Sequence, residues 1–277
     1  MPNIKFLSWN TAKRLKRVDK QFSFILNQKP DVIALQEILP STEQKYRSLM
    51  ENVYPNIISS FDLAPNKKIL KGKRMFGQLI ASKVPFTSIN PQKFDVPWKE
   101  RVLSVTLSMP KSTLDFHTTH IPPGTSNGWI KISMIEGIVK TIIQSLPVPQ
   151  ILCGDFNTPQ AESKEYGVVT FGQRFEVSGE PVVYKKFRGG AGGDWDKGER
   201  RLFEELGAHG VVDSFRRRHP NAYKAYSWSF TRKGKIFRNR FDHFFASKEL
   251  EVKECEYLNS QGNLSDHSPI ICEYDLG

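Results

Sequence analysis

Cysteine is scarce in this sequence of 277 residues, and the three that occur, Cys153, Cys255 and Cys272, form no Cys-x-x-Cys pair. An odd number without that spacing argues against a disulfide framework and against a zinc site built from thiolates. The simplest interpretation is three reduced, buried thiols in a reducing compartment. We therefore expect an intracellular, cytoplasmic protein.

Membrane and nucleotide-binding motifs are absent as well. No apolar run reaches the ~18 residues that a membrane-spanning helix requires, and the opening residues, MPNIKFLSWN, do not resemble a signal peptide. The Gly-rich segment 188–198 lacks the G-x-x-x-x-G-K-[ST] pattern of a P-loop. We predict a mobile surface loop there and a second, basic loop at 64–74, in a soluble protein.

Basic residues outnumber acidic ones, with 40 Lys and Arg against 29 Asp and Glu, which gives a net charge of +11. Such a surface attracts polyanions: nucleic acid, anionic lipid headgroups or phosphorylated small molecules. The same excess of lysine would equally serve to keep the protein soluble, so charge alone leaves the partner open. The 39% hydrophobic content suffices for a sizeable core.

Hydrophobic patterning predicts a mixture of helices and buried strands. Helices are expected at 18–28, near 42–52, from an N-terminal cap at Asn127 to about 146, and at 196–206. Strands are expected at 4–9, 31–37, 77–82, 101–109, 114–120, 150–156, 226–230, 240–247, 250–258 and 268–274. Continuous apolar strands such as DVIALQE are typical of two-sided burial. We expect one domain over residues 1–277, of α/β (α+β) class, with two packed sheets and helices outside.

Polar residues recur where the predicted strands end. They are Asn10, Glu37, His120, Asp155, Asn157, Asp242, Asp266 and His267. Each alone is typical of a turn or a helix cap, but strand ends in an α/β layer converge on one edge. Asp155 and Asn157 lie two residues apart in an extended segment, so their side chains should point the same way.

This set is rich in oxygen ligands, which suits a hard divalent cation and a phosphate. Mg²⁺ needs only one or two protein carboxylates, and Glu37 is the best candidate ligand, with Asn10 and Asp266 nearby. Zn²⁺ would prefer several His or Cys ligands. His117 and His120 lie three apart in a strand and face opposite sides, so they cannot share a metal.

Five motifs in order, SWN, LQE, GDFN, RFD and SDHSP, resemble the endonuclease/exonuclease/phosphatase superfamily. That superfamily includes exonuclease III, the apurinic/apyrimidinic endonucleases and deoxyribonuclease I, and the resemblance runs from about residue 5 to residue 274. It implies a deoxyribonuclease I-like four-layer sandwich of two mixed β-sheets flanked by helices. It also implies Mg²⁺- or Mn²⁺-dependent hydrolysis of a phosphoester.

The resemblance assigns roles on the metal side of the site. Asn10 and Glu37 match the residues beside the metal, and Asp266 matches a further acidic residue close to it. Asp155 matches the residue that orients or deprotonates the attacking water, and Asn157 matches its partner at the phosphate.

The remaining roles concern the phosphate itself. His267 matches the histidine that contacts the scissile phosphate, and Asp242 matches the carboxylate that fixes its imidazole. His120 stands where the superfamily places a His or Tyr against the phosphate. The repair endonucleases tend to have Tyr there, so His120 departs from their pattern.

The segment VVDSFRRRHPNAYKAYSWSF, leading on to RFDHFFAS, resembles exonuclease III and its relatives, in which a Trp-bearing strand and the following loop lie beside DNA; Trp228 and the loop TRKGKIFRNR match that region. Its predicted phosphate contacts are Arg232, Lys233, Lys235, Arg238 and Arg240, and Phe237 is placed to wedge at a lesion. The alternative is a solvated hairpin with a buried Trp228. Asn127 and Lys131 are further candidate phosphate contacts, although Asn127 as a helix cap is an equal alternative.

The sequence therefore favours a Mg²⁺-dependent DNA nuclease of the exonuclease III or abasic-site endonuclease type. A phosphatase or phosphodiesterase acting on RNA, a lipid headgroup or a small molecule is the alternative of the same class. A nucleic-acid-binding module that has lost catalysis is the alternative of a different class.

Overall fold

Two six-stranded sheets form the framework of the computed structural model, which describes residues 3–64, 68, 70–110, 112–258 and 262–275. In chain order the strands are β1 (Ile4–Asn10), β2 (Val32–Ile38), β3 (Asn56–Ser59), β4 (Gly77–Ser82), β5 (Phe86–Ser88), β6 (Val102–Ser108), β7 (Thr113–His120), β8 (Gln150–Asp155), β9 (Ala161–Ser163), β10 (Gly167–Val169), β11 (Gln173–Phe175), β12 (Pro181–Val183), β13 (Lys186–Phe187), β14 (Gly190–Ala191), β15 (Val211–Asp213), β16 (Trp228–Arg232), β17 (Lys235–Asn239), β18 (Asp242–Ser247), β19 (Glu251–Tyr257) and β20 (Ile270–Asp275).

Helices cover the outer faces of these sheets. They are α1 (Val18–Gln28), α2 (Pro40–Met50), α3 (Gly124–Asn127), α4 (Ile130–Gln144), α5 (Gly192–Arg200), α6 (Leu206–Ala208) and α7 (Ser214–Arg218). A π-helical turn, Arg201–Glu205, joins α5 to α6. Among the described residues, no helix is long and apolar enough to cross a membrane.

Both large sheets are mixed. The first has the order β19-β20-β1-β2-β4-β3 and the second has the order β15-β18-β8-β7-β6-β5. The pairs β1–β2 and β7–β8 are parallel, and their neighbours on either side run antiparallel. The carboxyl ends of β1, β2, β7 and β8 lie at the edge where the candidate site, described below, is found.

The alternation of side chains along the central strands explains the layers. Phe6 and Ala34 face the core between the sheets, whereas Leu7 and Leu35 face α1 and α2. Across the inter-sheet core, the ring of Phe6 lies 5.2 Å from that of Phe116. Because both faces of β2 are covered, residues 32–35 form a continuous apolar run, whereas β1 carries Lys5 and Ser8 among its apolar residues. The predicted four-layer fold is confirmed, and the prediction of a single domain over 1–277 stays a prediction.

Helix α4 shows one correct and one wrong prediction. Its buried face carries Met134, Ile138 and Ile142, as the periodicity predicted. The predicted cap at Asn127 was wrong, because Asn127 is the last residue of α3 and Trp129 holds the N-cap position of α4. A short separate helix at Gly124–Asn127 interrupts the pattern that the sequence presents as one element.

The Gly-rich segment at 188–198 is not a loop, contrary to expectation. Strand β14 ends at Ala191 and α5 follows at once. Trp195 is fully buried and packs edge-on against Trp129, with ring centroids 5.2 Å apart. A Cβ on Gly192 would lie 1.9 Å from the carbonyl oxygen of Tyr184. Glycine here permits close packing and not chain mobility.

The basic segment at 64–74 falls partly outside the described residues, which omit 65–67 and 69. Its last three residues, Gly72–Arg74, form a 3-10 turn. Arg74 makes two hydrogen bonds to the buried carboxylate of Glu100, at 2.6 and 2.7 Å. At least this end of the predicted loop is therefore tied to the body of the protein.

The expectation of three free thiols was wrong for two of them. Cys255 and Cys272 form a disulfide across neighbouring strands β19 and β20, where they are register partners with Cα atoms 4.1 Å apart. Strand register brings them together, and their spacing of 17 residues does not reveal it. Cys153 is free and buried in β8, and burial raises the pKa of its thiol to about 12.

Candidate active site

The predicted polar residues meet at one edge of the two sheets. Asn10, Glu37, His120 and Asp155 lie at the carboxyl ends of β1, β2, β7 and β8. Asp242 begins the antiparallel strand β18 directly opposite Asp155. The edge opens into a cleft of about 630 Å³, which Glu37, His120, Asp155, Asn157, Asp266 and His267 all line. The predicted convergence of these distant segments is therefore present in the structure.

Asp155 lies at the centre of this arrangement. Its Oδ2 accepts hydrogen bonds from Asn10 Nδ2 at 2.9 Å and from Asn157 Nδ2 at 3.2 Å, and its Oδ1 accepts from the Asn157 backbone N–H at 2.9 Å. Burial, aided by the nearby Asp242 and opposed by His267, raises the pKa of Asp155 to about 7. A carboxyl group with this pKa is a suitable proton acceptor near neutral pH.

The turn after β8 explains why Asp155 and Asn157 meet. Asn157 has a positive φ of 52°, so the chain turns sharply after Asp155 instead of continuing as a strand. The Asn157 amide also donates to the Ile121 carbonyl at 2.9 Å. Gly154 has a φ of 132°, and a Cβ there would lie 1.9 Å from the Thr119 carbonyl oxygen. The two side chains face one point as predicted, although through a turn and not an extended strand.

His267 is held between two carboxylates. Its Nδ1 contacts Asp242 Oδ2 at 2.8 Å, and its Nε2 lies 3.8 Å from Asp155 Oδ2. The indole N–H of Trp9 donates to the His267 carbonyl at 2.9 Å and fixes the backbone. Burial alone would lower the pKa of His267, but Asp242 and Asp155 more than offset it and raise the pKa to about 10. The imidazole is therefore a cation that can donate a proton or a hydrogen bond.

One metal-like cluster in the site has a different explanation. Ligand atoms of Asp155, Asp242 and His267 all lie within 4.8 Å of one another. However, His267 Nδ1 is already hydrogen-bonded to Asp242 Oδ2 at 2.8 Å, so these two groups hold each other. We therefore interpret these residues as a hydrogen-bonded relay and place the metal elsewhere.

His120 faces Glu37 and Asp155 with a defined tautomer. Its Nδ1 contacts the guanidinium of Arg101, which has only donors, so Nδ1 is the acceptor and Nε2 carries the hydrogen. That Nε2 lies 3.7 Å from Glu37 Oε1 and 3.7 Å from Asp155 Oδ2. Burial, Arg101 and His267 hold the pKa of His120 well below its usual value. His120 is therefore a neutral donor whose Nε2–H faces Glu37 and Asp155.

Glu37 fits a metal ligand best. It has a positive φ of 55° at an irregularity in the β2–β4 pairing, which turns its side chain into the cleft. Its side chain is 19% exposed, and within the part of the chain that the structure describes its carboxylate contacts His120 Nε2 at 3.7 Å. Asp266 is exposed, and its Oδ2 accepts from Trp228 Nε1 at 3.3 Å. Two accessible carboxylates suit a hard cation such as Mg²⁺ or Mn²⁺.

Asn10 is more constrained than a simple ligand. Its Nδ2 donates to Asp155, and its Oδ1 accepts from the Ala12 backbone N–H at 2.9 Å. Its carbonyl oxygen accepts from Ser265 Oγ at 2.7 Å. In this arrangement the side chain orients Asp155, and a metal role would use the remaining lone pair of Oδ1.

Two predicted phosphate contacts have other surroundings. Lys131 is 1% exposed, donates to the Asn157 carbonyl at 2.8 Å and forms an ion pair with the fully buried Glu199. Glu199 also accepts from Trp195 Nε1 at 2.9 Å. Lys131 therefore braces the turn that carries Asn157. Asn127 donates to the Pro123 carbonyl and does not line the cleft.

The hairpin β16–β17 forms one wall of the cleft and presents aromatic rings. Trp228 is half-buried and stacks on Phe241, with centroids 5.2 Å apart. Phe230 and Phe237 stack on each other at 4.8 Å and remain 38% and 44% exposed. Residues 230–238 are exposed, as in the alternative of a solvated hairpin, but Trp228 is only half-buried and all four rings line the cleft.

The basic residues of this hairpin divide into two groups. The exposed ones are Arg232, Lys233, Lys235 and Arg238, and Arg238 lines the cleft. Arg240 is 3% exposed and pairs with Glu162 at 2.6 Å and with Asp213 at 2.6 Å. The prediction of a phosphate contact at Arg240 was wrong, because its guanidinium is saturated by carboxylates distant in sequence.

Arg101 is a site residue that sequence reasoning missed. It is 2% exposed, contacts His120 and donates to the Lys73 carbonyl at 2.7 Å. Burial lowers the pKa of its guanidinium to about 10, although nearby carboxylates oppose that shift. Its position at the start of a predicted strand, after Lys99 and Glu100, resembles an ordinary exposed residue. No sequence pattern distinguishes it from such a residue.

Comparisons with known proteins extend these findings. Residues 7–267 match the pattern of a family described as the endonuclease/exonuclease/phosphatase family. A crystal structure of D. rerio TDP2 humanized by 14 mutations is similar, with a TM-score of 0.64, 17% identity and 99% of each chain covered. The structure of D. rerio TDP2 complexed with single strand DNA product is also similar, with a TM-score of 0.64 and 16% identity. The match covers 99% of this chain and 100% of that chain. No curated protein sequence matches.

Proposed function

The chain belongs to the endonuclease/exonuclease/phosphatase family and is thus a phosphodiester hydrolase of a metal-dependent superfamily, and we propose that it uses Mg²⁺ to cleave DNA. The observation that carries the proposal is the arrangement around Asp155. A proton-accepting carboxylate lies 3.8 Å from a cationic imidazole, and both line a cleft with accessible carboxylates. Few other reactions need this combination of groups at one point.

The chain's own residues divide the chemistry. Asp155, oriented by Asn10 and Asn157, accepts the proton of the attacking water, a role worth about 10²–10⁴-fold. The His267 imidazolium, oriented by Asp242, donates to the phosphate oxygens as their negative charge grows. His120 Nε2–H approaches the same oxygens.

A divalent cation would be held by Glu37 and Asp266, with Asn10 beside them. When bound, it supplies Lewis-acid polarisation of the phosphate and support for the leaving oxygen. The donor set of carboxylate and amide oxygens favours Mg²⁺ or Mn²⁺ over Zn²⁺. The exposed position of Asp266 allows the cation to retain several waters, as Mg²⁺ usually does.

DNA is the substrate that the surroundings favour. The net charge of +11, the exposed basic hairpin and the wall of stacked rings together suit a polyanion that carries bases. One structural relative, D. rerio TDP2, is described in complex with single strand DNA product. Within DNA substrates we favour the exonuclease III or abasic-site type, because the cleft wall combines Trp228 with a basic turn. A repair role would follow from that activity.

A substrate panel in Mg²⁺ tests this proposal. It comprises abasic duplex, intact duplex, single strand, RNA and a soluble phosphoinositide. We expect cleavage of DNA, fastest at an abasic or single-stranded site, and its loss in EDTA. If only RNA or only the phosphoinositide is hydrolysed, that molecule and not DNA is the substrate. DNA binding that is equal with and without EDTA, without cleavage, would indicate a binding module.

The hairpin provides a prediction about DNA affinity. Changing Lys233, Lys235 and Arg238 together to Gln should weaken DNA binding and reduce the slope of log K against log salt. For duplex DNA, each lost phosphate contact should lower that slope by about 0.9, because fewer counterions are released. Fluorescence anisotropy across a salt series, in EDTA to prevent cleavage, measures it. A matched triple variant, Lys20, Lys140 and Lys248 to Gln, should retain the slope. Equal slopes for the wild type and the hairpin variant would show that DNA binds to another surface of the protein.

A further inference from the structure

A second wall of the cleft faces the hairpin and carries one arginine that the proposed chemistry does not use. Arg188 lies in the two-residue turn between β13 and β14 and lines the cleft together with Asp155 and His267. Arg188 and Gly189 have φ values of 49° and 82°. Two successive positive φ angles are typical of a tight type I′ hairpin turn, and they are uncommon for a residue such as arginine.

The turn is fixed in place by Trp129. The indole N–H of Trp129 donates to the Arg188 carbonyl at 3.0 Å. A Cβ on Gly190 would lie 2.2 Å from the Trp129 ring, so the turn approaches that ring as closely as glycine permits. Trp129 in turn packs against the buried Trp195. The position of Arg188 therefore follows from packing against α4 and α5, and not from a free loop.

The guanidinium of Arg188 rests on aromatic rings. It lies 4.9 Å from the centroid of Phe187 and 5.7 Å from that of Trp195. Among the described residues, no carboxylate lies within ion-pair distance of it, whereas the neighbouring Arg174 is paired with Glu176. Stacking on rings orients a guanidinium while leaving its N–H groups free. Such a group is arranged for an anion that comes from outside the protein.

We propose that Arg188 binds a second phosphate of the substrate, next to the scissile one in the same strand. Asp155, Asn157 and His267 define where the scissile phosphate is bound, and Arg188 lies on the wall of the same cleft. A guanidinium recognises a phosphate by paired charge-assisted hydrogen bonds. The inference rests on the proposed function and sharpens it: the preferred substrate is a nucleic acid strand with at least two linked phosphates, and not a small molecule with one.

The test compares two substrates that share the same leaving group. One is the p-nitrophenyl ester of thymidine 5′-monophosphate, which has one phosphate, and the other is the same ester at the 5′ end of tetrathymidylate. We expect Arg188→Met to raise KM for the tetramer about 10-fold or more, with kcat nearly unchanged, because a charged hydrogen bond is lost. For the single-phosphate ester, KM should not change. Arg188→Lys should restore part of the loss.

Lys186→Met is the matched control. Lys186 is exposed on the same hairpin but does not line the cleft, so its loss removes an equal charge without the proposed contact. It should leave both KM values unchanged. An equal effect of Arg188→Met on both substrates, or an equal effect of the two variants, would overturn the second phosphate site. So would the absence of any effect.

Direct binding separates this inference from the proposed function. Anisotropy of labelled tetrathymidylate in EDTA should show weaker binding by Arg188→Met, and a slope against log salt that is lower by about 0.7. If the wild type cleaves neither ester but this binding difference remains, the hydrolase proposal fails and the phosphate site stands. If cleavage is normal and binding is unaltered in the variant, the phosphate site fails alone. Thermal unfolding of each variant confirms that the fold is retained.

Discussion

Asp155→Ala is expected to reduce kcat at least a hundredfold while the protein remains folded. Asp155 is buried at the bottom of the cleft and is the carboxylate that three hydrogen bonds from Asn10 and Asn157 orient. Removing a positioned base costs about 10²–10⁴-fold in rate. Steady-state kinetics on the DNA substrate in saturating Mg²⁺ measure the loss, and thermal unfolding reports the fold.

The same loss is expected for two neighbours of Asp155. Asn157→Ala and His267→Ala should each lower kcat by about a hundredfold or more, because Asn157 orients Asp155 and His267 donates to the phosphate as its charge grows. Asp242→Asn should lower it less, since the imidazole remains but loses the partner that orients it. His219→Ala is the control: this histidine ends α7 and pairs with Glu256 outside the cleft. Near-normal rates for all three catalytic variants would refute the site.

The site could be predicted because its residues mark the ends of buried strands. Apolar runs identify β2 and β8, and an alternating pattern identifies β1; these strands carry Glu37, Asp155 and Asn10, respectively, at or next to their carboxyl ends. Parallel pairing then brings those ends to one edge. Each of these signals is local to one segment, because it depends only on which faces of that strand are covered.

Buried ion pairs could not be predicted in the same way. Arg240 lies 78 residues from Glu162, and Lys131 lies 68 residues from Glu199. In a basic sequence, each of these cations looks like a phosphate contact until its carboxylate partner is known. Burial opposes the charge of Glu162, yet Arg240 and Arg216 lower the pKa of that carboxyl group to about 2. Pairing across the fold decides the role of such residues.

The elements from β9 to α5 could not be predicted from the sequence for another reason. Its strands have two or three residues, which is too short for a period of two to show. Its glycines resemble those of a loop, although Gly190 and Gly192 serve close contacts with Trp129 and with Tyr184. Since Arg188 lies in this stretch, one wall of the cleft was absent from the predicted site.

Glu37→Gln is expected to remove most of the metal-dependent activity. The change keeps the size of the side chain but removes the charge of the best candidate ligand, which lies in the cleft with 19% of its side chain exposed. Metal assistance is worth several kcal/mol at the transition state, so kcat should fall about a hundredfold or more at a fixed, subsaturating Mg²⁺ concentration. Isothermal titration with Mn²⁺ should show correspondingly weaker binding. Glu51→Gln, at the end of α2 and outside the cleft, should change neither quantity.

The same titration decides between two positions for the cation. If the metal is held by Glu37 and Asp266, then Asp266→Asn should weaken Mn²⁺ binding and Asp242→Asn should not. If Asp155, Asp242 and His267 form the metal site instead, the order reverses, because Asp242 would be a ligand. The hydrogen bond between His267 Nδ1 and Asp242 Oδ2, at 2.8 Å, argues for the first position, since each group already has a partner. Unchanged Mn²⁺ affinity in Glu37→Gln, together with its loss in Asp242→Asn, would contradict that argument and move the cation onto the relay.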